Sequence, residues 1–291
     1  MSIARRFAKW RRRCLKARTG SPAPHFNLPG IDGRNYTLKD IADSRILAVI
    51  FTCNHCPTAQ AYEERIIQIV SEHTPKGVAF VGISPNDPRA VRLDELGYTD
   101  LCDSFAEMKV RAEHRKYNFP YLYDGETQMT SKEYGPTATP HVFVFDQQRK
   151  LRYQGRVDNS ENGRNITSAD FRDALEALLA GREVGAKTTR AFGCSIKWAG
   201  KQDSARRALE KWAAEEVTVQ PIDAAGLREL AANKTEKYRL INVWATWCGP
   251  CIVEFPELAT MNRMYRGRPF EFVSLSADDP ERSREVIAFL K

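Results

Sequence analysis

Long hydrophobic runs are missing from this chain. Across 291 residues the longest uninterrupted apolar stretch, Ile46 to Phe51, is six residues, against the ~20 that a helix needs to cross a bilayer. A transmembrane helix is excluded. Acidic residues are missing from positions 1–18, where eight basic side chains stand (Arg5, Arg6, Lys9, Arg11, Arg12, Arg13, Lys16, Arg18). The formal charge of +7 belongs to that tail, because the remaining 36 basic and 37 acidic side chains nearly cancel. The body has no net basicity of the kind nucleic-acid binding uses, and no nucleic-acid partner is expected. An apolar stretch of ~7–15 residues after the charges is lacking too, so the tail is not a usable signal peptide.

What is present points to two domains. The length is about twice the ~150-residue domain prior, and 42% hydrophobic with 28% charged residues can furnish a core for each. In the tail, Ile3, Phe7, Trp10, Cys14 and Ala17 are spaced by three and four. That pattern reads as a cationic amphipathic helix in weak contact with a membrane surface, or as a solvated leader. Seven cysteines, an odd and widely spaced set, do not make a small-protein disulfide framework. Four form two Cys-x-x-Cys pairs, Cys53/Cys56 and Cys248/Cys251, and Cys14, Cys102 and Cys194 stand singly.

The neighbourhoods of the two pairs repeat one order of elements. ILAVIFT, CNHC, a helical stretch to about His73 and GVAFVGISPNDP correspond to YRLINVWAT, CGPC, a helical stretch to about Tyr265 and FEFVSLSADDP. Apolar β-branched runs feeding a helix and then another strand spell βαβ units and an α/β sheet. In the first domain further helices are expected at Ser104–Tyr117, Glu126–Tyr134 and Ser168–Leu179, with strands at Tyr121–Tyr123, His141–Phe145 and Leu151–Gly155. The organisation is a basic tail (1–19), a first domain (20–202), a linker helix (203–216) and a second domain (217–291).

A cysteine in the first turn of a helix faces unpaired N–H groups and the positive end of the dipole, which favour thiolate over thiol. A second cysteine one turn on can attack the mixed disulfide that the first one forms. Cys53 and Cys248 are read as nucleophiles, with Cys56 and Cys251 as resolving thiols and Cys53–Cys56 and Cys248–Cys251 as redox-active disulfides.

At this point the sequence resembles known families. VWATWCGPCIVEFPEL looks like the active site of thioredoxins of the envelope (TlpA-like) branch, which Glu254 and Asn242 also match. The first domain resembles the redoxin group of the alkyl hydroperoxide reductase/thiol-specific antioxidant superfamily, through FTCNHCP, NFPYLYD, YGPTATPHVFVFD and FGCSIKW. The resemblance implies tandem thioredoxin-like folds and a cis-proline at Thr139-Pro140 whose backbone docks substrate beside Cys53. It also implies that His55 and Glu254 modulate thiol pKa values, with the first pair the more oxidising. Only 40 residues follow Cys251, whereas 84 lead from Cys56 to Pro140. The second domain is therefore expected to be incomplete, without the cis-proline or the last two strands.

The function expected is thiol–disulfide exchange on protein thiols and disulfides, with an electron-donor thiol protein and no cofactor or metal. The alternatives are a peroxiredoxin-like peroxide reductase and a copper-delivery module. The peroxiredoxin pattern places Thr or Ser three residues before the reactive cysteine and Pro seven before it. Those places hold Ile50 and Ile46 for Cys53, and Cys53 and Val49 for Cys56. Copper chaperones of this fold use a wider cysteine spacing with a distant histidine, for which His141 is available. Cys194 reads as packing or as a third redox cysteine, and His25, His73 and His114 as surface or capping residues. The family points to the bacterial envelope, and the missing signal to the cytoplasm.

Overall fold

The computed structural model describes residues 18–99 and 101–291. The amphipathic pattern at Ile3, Phe7, Trp10, Cys14 and Ala17 lies outside them. The chain divides into two compact units: residues up to Val91 with Tyr98–Gln202, and Arg92–Gly97 with Asp203–Lys291.

The first unit opens with a hairpin of β1 (Asn27–Pro29) and β2 (Asn35–Thr37). Then follow β3 (Ile46–Phe51), α1 (Pro57–His73), β4 (Val78–Ser84), α2 (Phe105–Arg115), β5 (Tyr121–Tyr123), α3 (Met129–Tyr134), β6 (His141–Phe145), β7 (Leu151–Gly155) and α4 (Asp170–Leu179). The sheet order is β5-β4-β3-β6-β7, with β3, β4 and β5 parallel and β6 and β7 antiparallel to their neighbours. This is the α/β class read from the sequence, in a thioredoxin-like sheet.

All six residues of β3 are buried, as a central strand covered on both faces requires. The period of two divides them. Ile46, Ala48 and Ile50 pack with Tyr62, Ile66 and Val70 of α1 and Phe171 and Leu175 of α4. Leu47, Val49 and Phe51 pack on the opposite face with Phe26, Leu28, Tyr134 and Phe143. The expected helix over 126–134 begins only at Met129. Asp124 accepts from the Ser131 backbone N–H and hydroxyl, both at 2.6 Å, while Gln128 takes a left-handed φ of 57°. His73, read as a surface or capping residue, is the buried last residue of α1, its ring set between the Ile69 carbonyl and the Glu176 carboxylate.

The second unit contains α5 (Gln202–Ala213, its first residue in the first unit), α6 (Ala224–Ala232), β8 (Tyr238–Trp244), α7 (Gly249–Met264), β9 (Phe270–Ser276) and α8 (Ser283–Leu290). β8 and β9 run parallel, from Tyr238↔Phe270 to Trp244↔Ser276. Trp244 is its packing centre, against Phe255 and Phe289. The stretch expected as a linker helix forms α5, and Arg266 binds Glu215 through both carboxylate oxygens at 2.6 and 2.7 Å. In both units an Asp-Pro closes the βαβ segment as a cap: Asp87 accepts from the Arg89 N–H and Asp279 from the Glu281 N–H.

Candidate active site

β3 ends at Phe51, and the next five residues carry both cysteines of the first pair into the mouth of α1. Cys56 is the N-cap of that 17-residue helix, with extended φ and ψ of −77° and 116°, and its Sγ accepts from the Ala59 N–H at 3.4 Å. Pro57 follows at the first helical position, where a missing N–H costs nothing. Cys53 and Cys56 are both thiols, 1% and 0% exposed.

The loop before β6 closes over them. Thr139–Pro140 is a cis peptide. Thr139 Oγ1 lies 3.1 Å from Cys53 Sγ, and the Cys56 thiol can donate to the Thr139 carbonyl at 3.2 Å. A third segment completes the cluster. The Thr139 N–H donates to the Cys194 carbonyl at 3.0 Å, and the Cys194 N–H donates to Cys56 Sγ at 3.4 Å. Thr139 is buried and its N–H is already engaged within the chain, so the expected docking of a substrate backbone on it is not open in this conformation.

Behind the pair lies a carboxylate that the sequence reading missed. Asp103 is fully buried; its Oδ1 accepts from the Asn54 N–H at 2.7 Å and the His55 N–H at 3.2 Å, and its Oδ2 from Asn86 Nδ2 at 2.7 Å. Oδ2 also lies 2.6 Å from His55 Nδ1. Burial opposes charge on both partners, but the attraction and hydrogen bonding between them win, holding Asp103 low and His55 high. The two thiols are driven apart. Burial, the Cys56 contact and the Asp103 charge push Cys53 well up. Burial also works against a Cys56 thiolate, yet hydrogen bonds from Cys194, Cys53 and the Ala59 N–H outweigh it and bring Cys56 below its ordinary value.

The helix-capping place differs between the two pairs: in the first unit the second cysteine, Cys56, stands at the helix start, and in the second unit it is the first cysteine. There Cys248 is the N-cap of α7 and is bonded to Cys251, with an S–S distance of 2.03 Å. Two residues before the capping cysteine, the Thr246 N–H donates to Asp278 at 2.8 Å, as the Asn54 N–H does to Asp103. Cys56 and Cys248 thus share the N-cap position of their helices. Glu254 lies on the exposed face of α7, and Trp247 is 69% exposed.

Cys53, His55 and Asp103 bring one ligand atom each within 4.8 Å of one another, the one such group of three among the described residues. They fit a metal poorly, because four hydrogen-bonding groups already converge on the two Asp103 oxygens. His141 stacks on Phe143 at 4.5 Å and is held down to about 4 by burial.

The AhpC/TSA family model matches residues 19–154. A protein of Mycobacterium tuberculosis H37Rv, named a candidate peroxiredoxin, is 31% identical over 139 residues, 45% of this chain and 80% of that one. The thiol:disulfide interchange protein DsbE of Allochromatium vinosum is 26% identical over 143 residues, 47% of this chain and 67% of its own. An uncharacterized conserved protein of Geobacillus kaustophilus shares the fold at 38% identity and a TM-score of 0.55, over 62% of this chain and 92% of that one.

Proposed function

We propose, from the premise that this chain belongs to the AhpC/TSA family of thioredoxin-like proteins, that it is a thiol–disulfide oxidoreductase working through Cys56 and Cys53. One observation carries the reading: Cys56 caps α1 amid converging N–H donors, with the Cys53 thiol beside it.

Cys56 as thiolate attacks one sulfur of a substrate disulfide, and the other sulfur leaves as a thiolate that takes up a proton. Cys53 then loses its proton and attacks Cys56 Sγ, closing Cys53–Cys56 and releasing the second substrate thiol. The substrate disulfide is reduced by two electrons and the pair is oxidised by two. An electron-donor thiol protein resets it, or the cycle runs in reverse on dithiol substrates. The Cys248–Cys251 pair, a disulfide at a second helix start, is the second exchange site. The missing Thr or Ser three residues before Cys56, where Cys53 stands, argues against peroxide as oxidant.

The test uses the full chain with Cys248→Ser and Cys251→Ser, so that only the first site can act. Turnover of a disulfide peptide with dithiothreitol as reductant should be lost in Cys56→Ser. Rapid consumption of peroxide with no turnover of the peptide would replace this reading with peroxide reduction.

A further inference from the structure

We propose that Cys194 is a third redox cysteine of the first unit, held by its own segment where a substrate cysteine would sit, and that it forms a disulfide with Cys56. This rests on the dithiol reading above and adds an internal partner to it.

Four observations converge. Thr139 and Cys194 form an antiparallel β-bridge, so the backbone next to the cis-proline is paired with the chain's own residue. An extended segment laid along such an edge is how a peptide is bound by strand addition. The backbone of Cys194 bonds Cys56 Sγ directly, across 138 residues of sequence, and its side chain packs on Cys53, Cys56 and Ala59. Gly193, at φ 141°, permits the approach: a Cβ there would run into the Thr139 carbonyl oxygen. Last, Cys53 and Cys56 are sealed while Cys194 is partly exposed, which makes it the member of the cluster that solvent reaches. A cysteine kept for packing alone needs neither that exposure nor a bond to the thiolate.

The step is an exchange with no net change in electrons. Cys194 loses its proton and attacks Cys56 Sγ in the Cys53–Cys56 disulfide; the Cys56–Cys194 bond forms, and Cys53 leaves and takes up a proton. The buried disulfide then ends on the partly exposed cysteine of the cluster, where a reductant can collect it. The Cys194 contact also lowers Cys56, which keeps it ready to attack when reduced.

The test is disulfide mapping by mass spectrometry on the full-length Cys53→Ser, Cys248→Ser, Cys251→Ser variant treated with oxidised glutathione. A dominant, dithiothreitol-reversible Cys56–Cys194 crosslink is expected. Adding Cys194→Ser should leave Cys56 stably glutathionylated, with release of glutathione at least tenfold slower. Persistent glutathione on Cys56 with Cys194 intact overturns the proposal, as does pairing of Cys194 with Cys102. The two readings fail separately. A crosslink in a chain whose wild type turns over no disulfide would leave this inference standing and remove the function. An active wild type whose variant forms no crosslink would do the reverse.

Discussion

His55 Nδ1 and Asp103 Oδ2 lie 2.6 Å apart with both side chains sealed from solvent. One carboxylate thereby sets two thiols against each other. Its charge disfavours a thiolate at Cys53, and it favours the cationic form of the ring next in sequence to Cys56, a form that a Cys56 thiolate would favour in turn. Pairs of titratable groups driven apart by their surroundings are how proteins assign separate roles to like side chains. Here burial and the Asp103 charge favour the thiol at Cys53, whereas the donors around the equally buried Cys56 favour its thiolate.

Removing one partner of a buried pair leaves the other charge uncompensated, at a cost of about 3–5 kcal/mol. Asp103→Ala should therefore destabilise the first unit by about that amount in urea unfolding, and it also strips the Asn54 and His55 N–H groups of their acceptor. A loss under ~1 kcal/mol would mean that the pair holds nothing together.

The same pair sets a pH window. His55 is raised, so its contribution is full below its unfolded value of ~6.5 and is lost as pH rises through the folded one. Asp103 is lowered, so its contribution is full above ~3.9 and is lost as pH falls through the folded value. The stability gap between wild type and His55→Gln should be widest between about pH 4 and 6.5 and narrow on both sides. Lys197 opposes the His55 charge and Cys56 supports it, so the upper edge also reflects them. A gap that is flat with pH would show the ring to be neutral throughout.

Ultraviolet titration of thiolate should separate the two cysteines. In a background lacking Cys248 and Cys251, Cys53→Ser should keep a thiolate that forms well below ~8.5, and Cys56→Ser should lose it. Cys102, pushed up to about 12 by burial and the Asp103 charge, stays silent in that range. The opposite pattern would restore Cys53 as the nucleophile.

How far the site could be read in the sequence depends on the range of each signal. The buried run at Ile46–Phe51 and the two βαβ segments are local patterns, and the structure forms both. Which cysteine caps the helix is also local, but the Cys-x-x-Cys spacing does not contain it. The usable signal was Pro57, because a proline at the first helical position makes the residue before it the cap. In the second pair Gly249 and Pro250 follow Cys248, so the helix starts one cysteine earlier. Asp103 had no signal: it meets Asn54 and His55 from 49 and 48 residues away, through a loop with no motif. Cys194 was visible only as part of FGCSIKW, since a bridge to Thr139 leaves no periodicity behind.

The two pairs should differ in reduction potential. N–H donors and Cys194 stabilise reduced Cys56, which makes its disulfide the stronger oxidant, whereas Cys248 has no side-chain capping bond. Redox titration of variants retaining one pair each should place Cys53/Cys56 at the more positive potential by ~30 mV or more, the equivalent of ~1.4 kcal/mol. Equal potentials would remove the case for two sites with distinct roles.

Gly193→Ala tests whether the closeness of Thr139 and Cys194 matters. At φ 141° an alanine is strained by about 1–3 kcal/mol. Its Cβ also meets the Thr139 backbone rather than a side chain that could swing aside, so the bridge itself must part. Parting it removes the Cys194 N–H from Cys56 and opens the cover over both sealed thiols. The variant should therefore lose stability in urea and react faster with iodoacetamide at Cys56. Gly185→Ala is the control: nothing lies within 4 Å of a Cβ there, and its effect should stay within ~0.5 kcal/mol. Should the two variants prove equally stable, with Cys56 equally slow to alkylate, the segment carrying Cys194 would be no more than a lid that the site can do without.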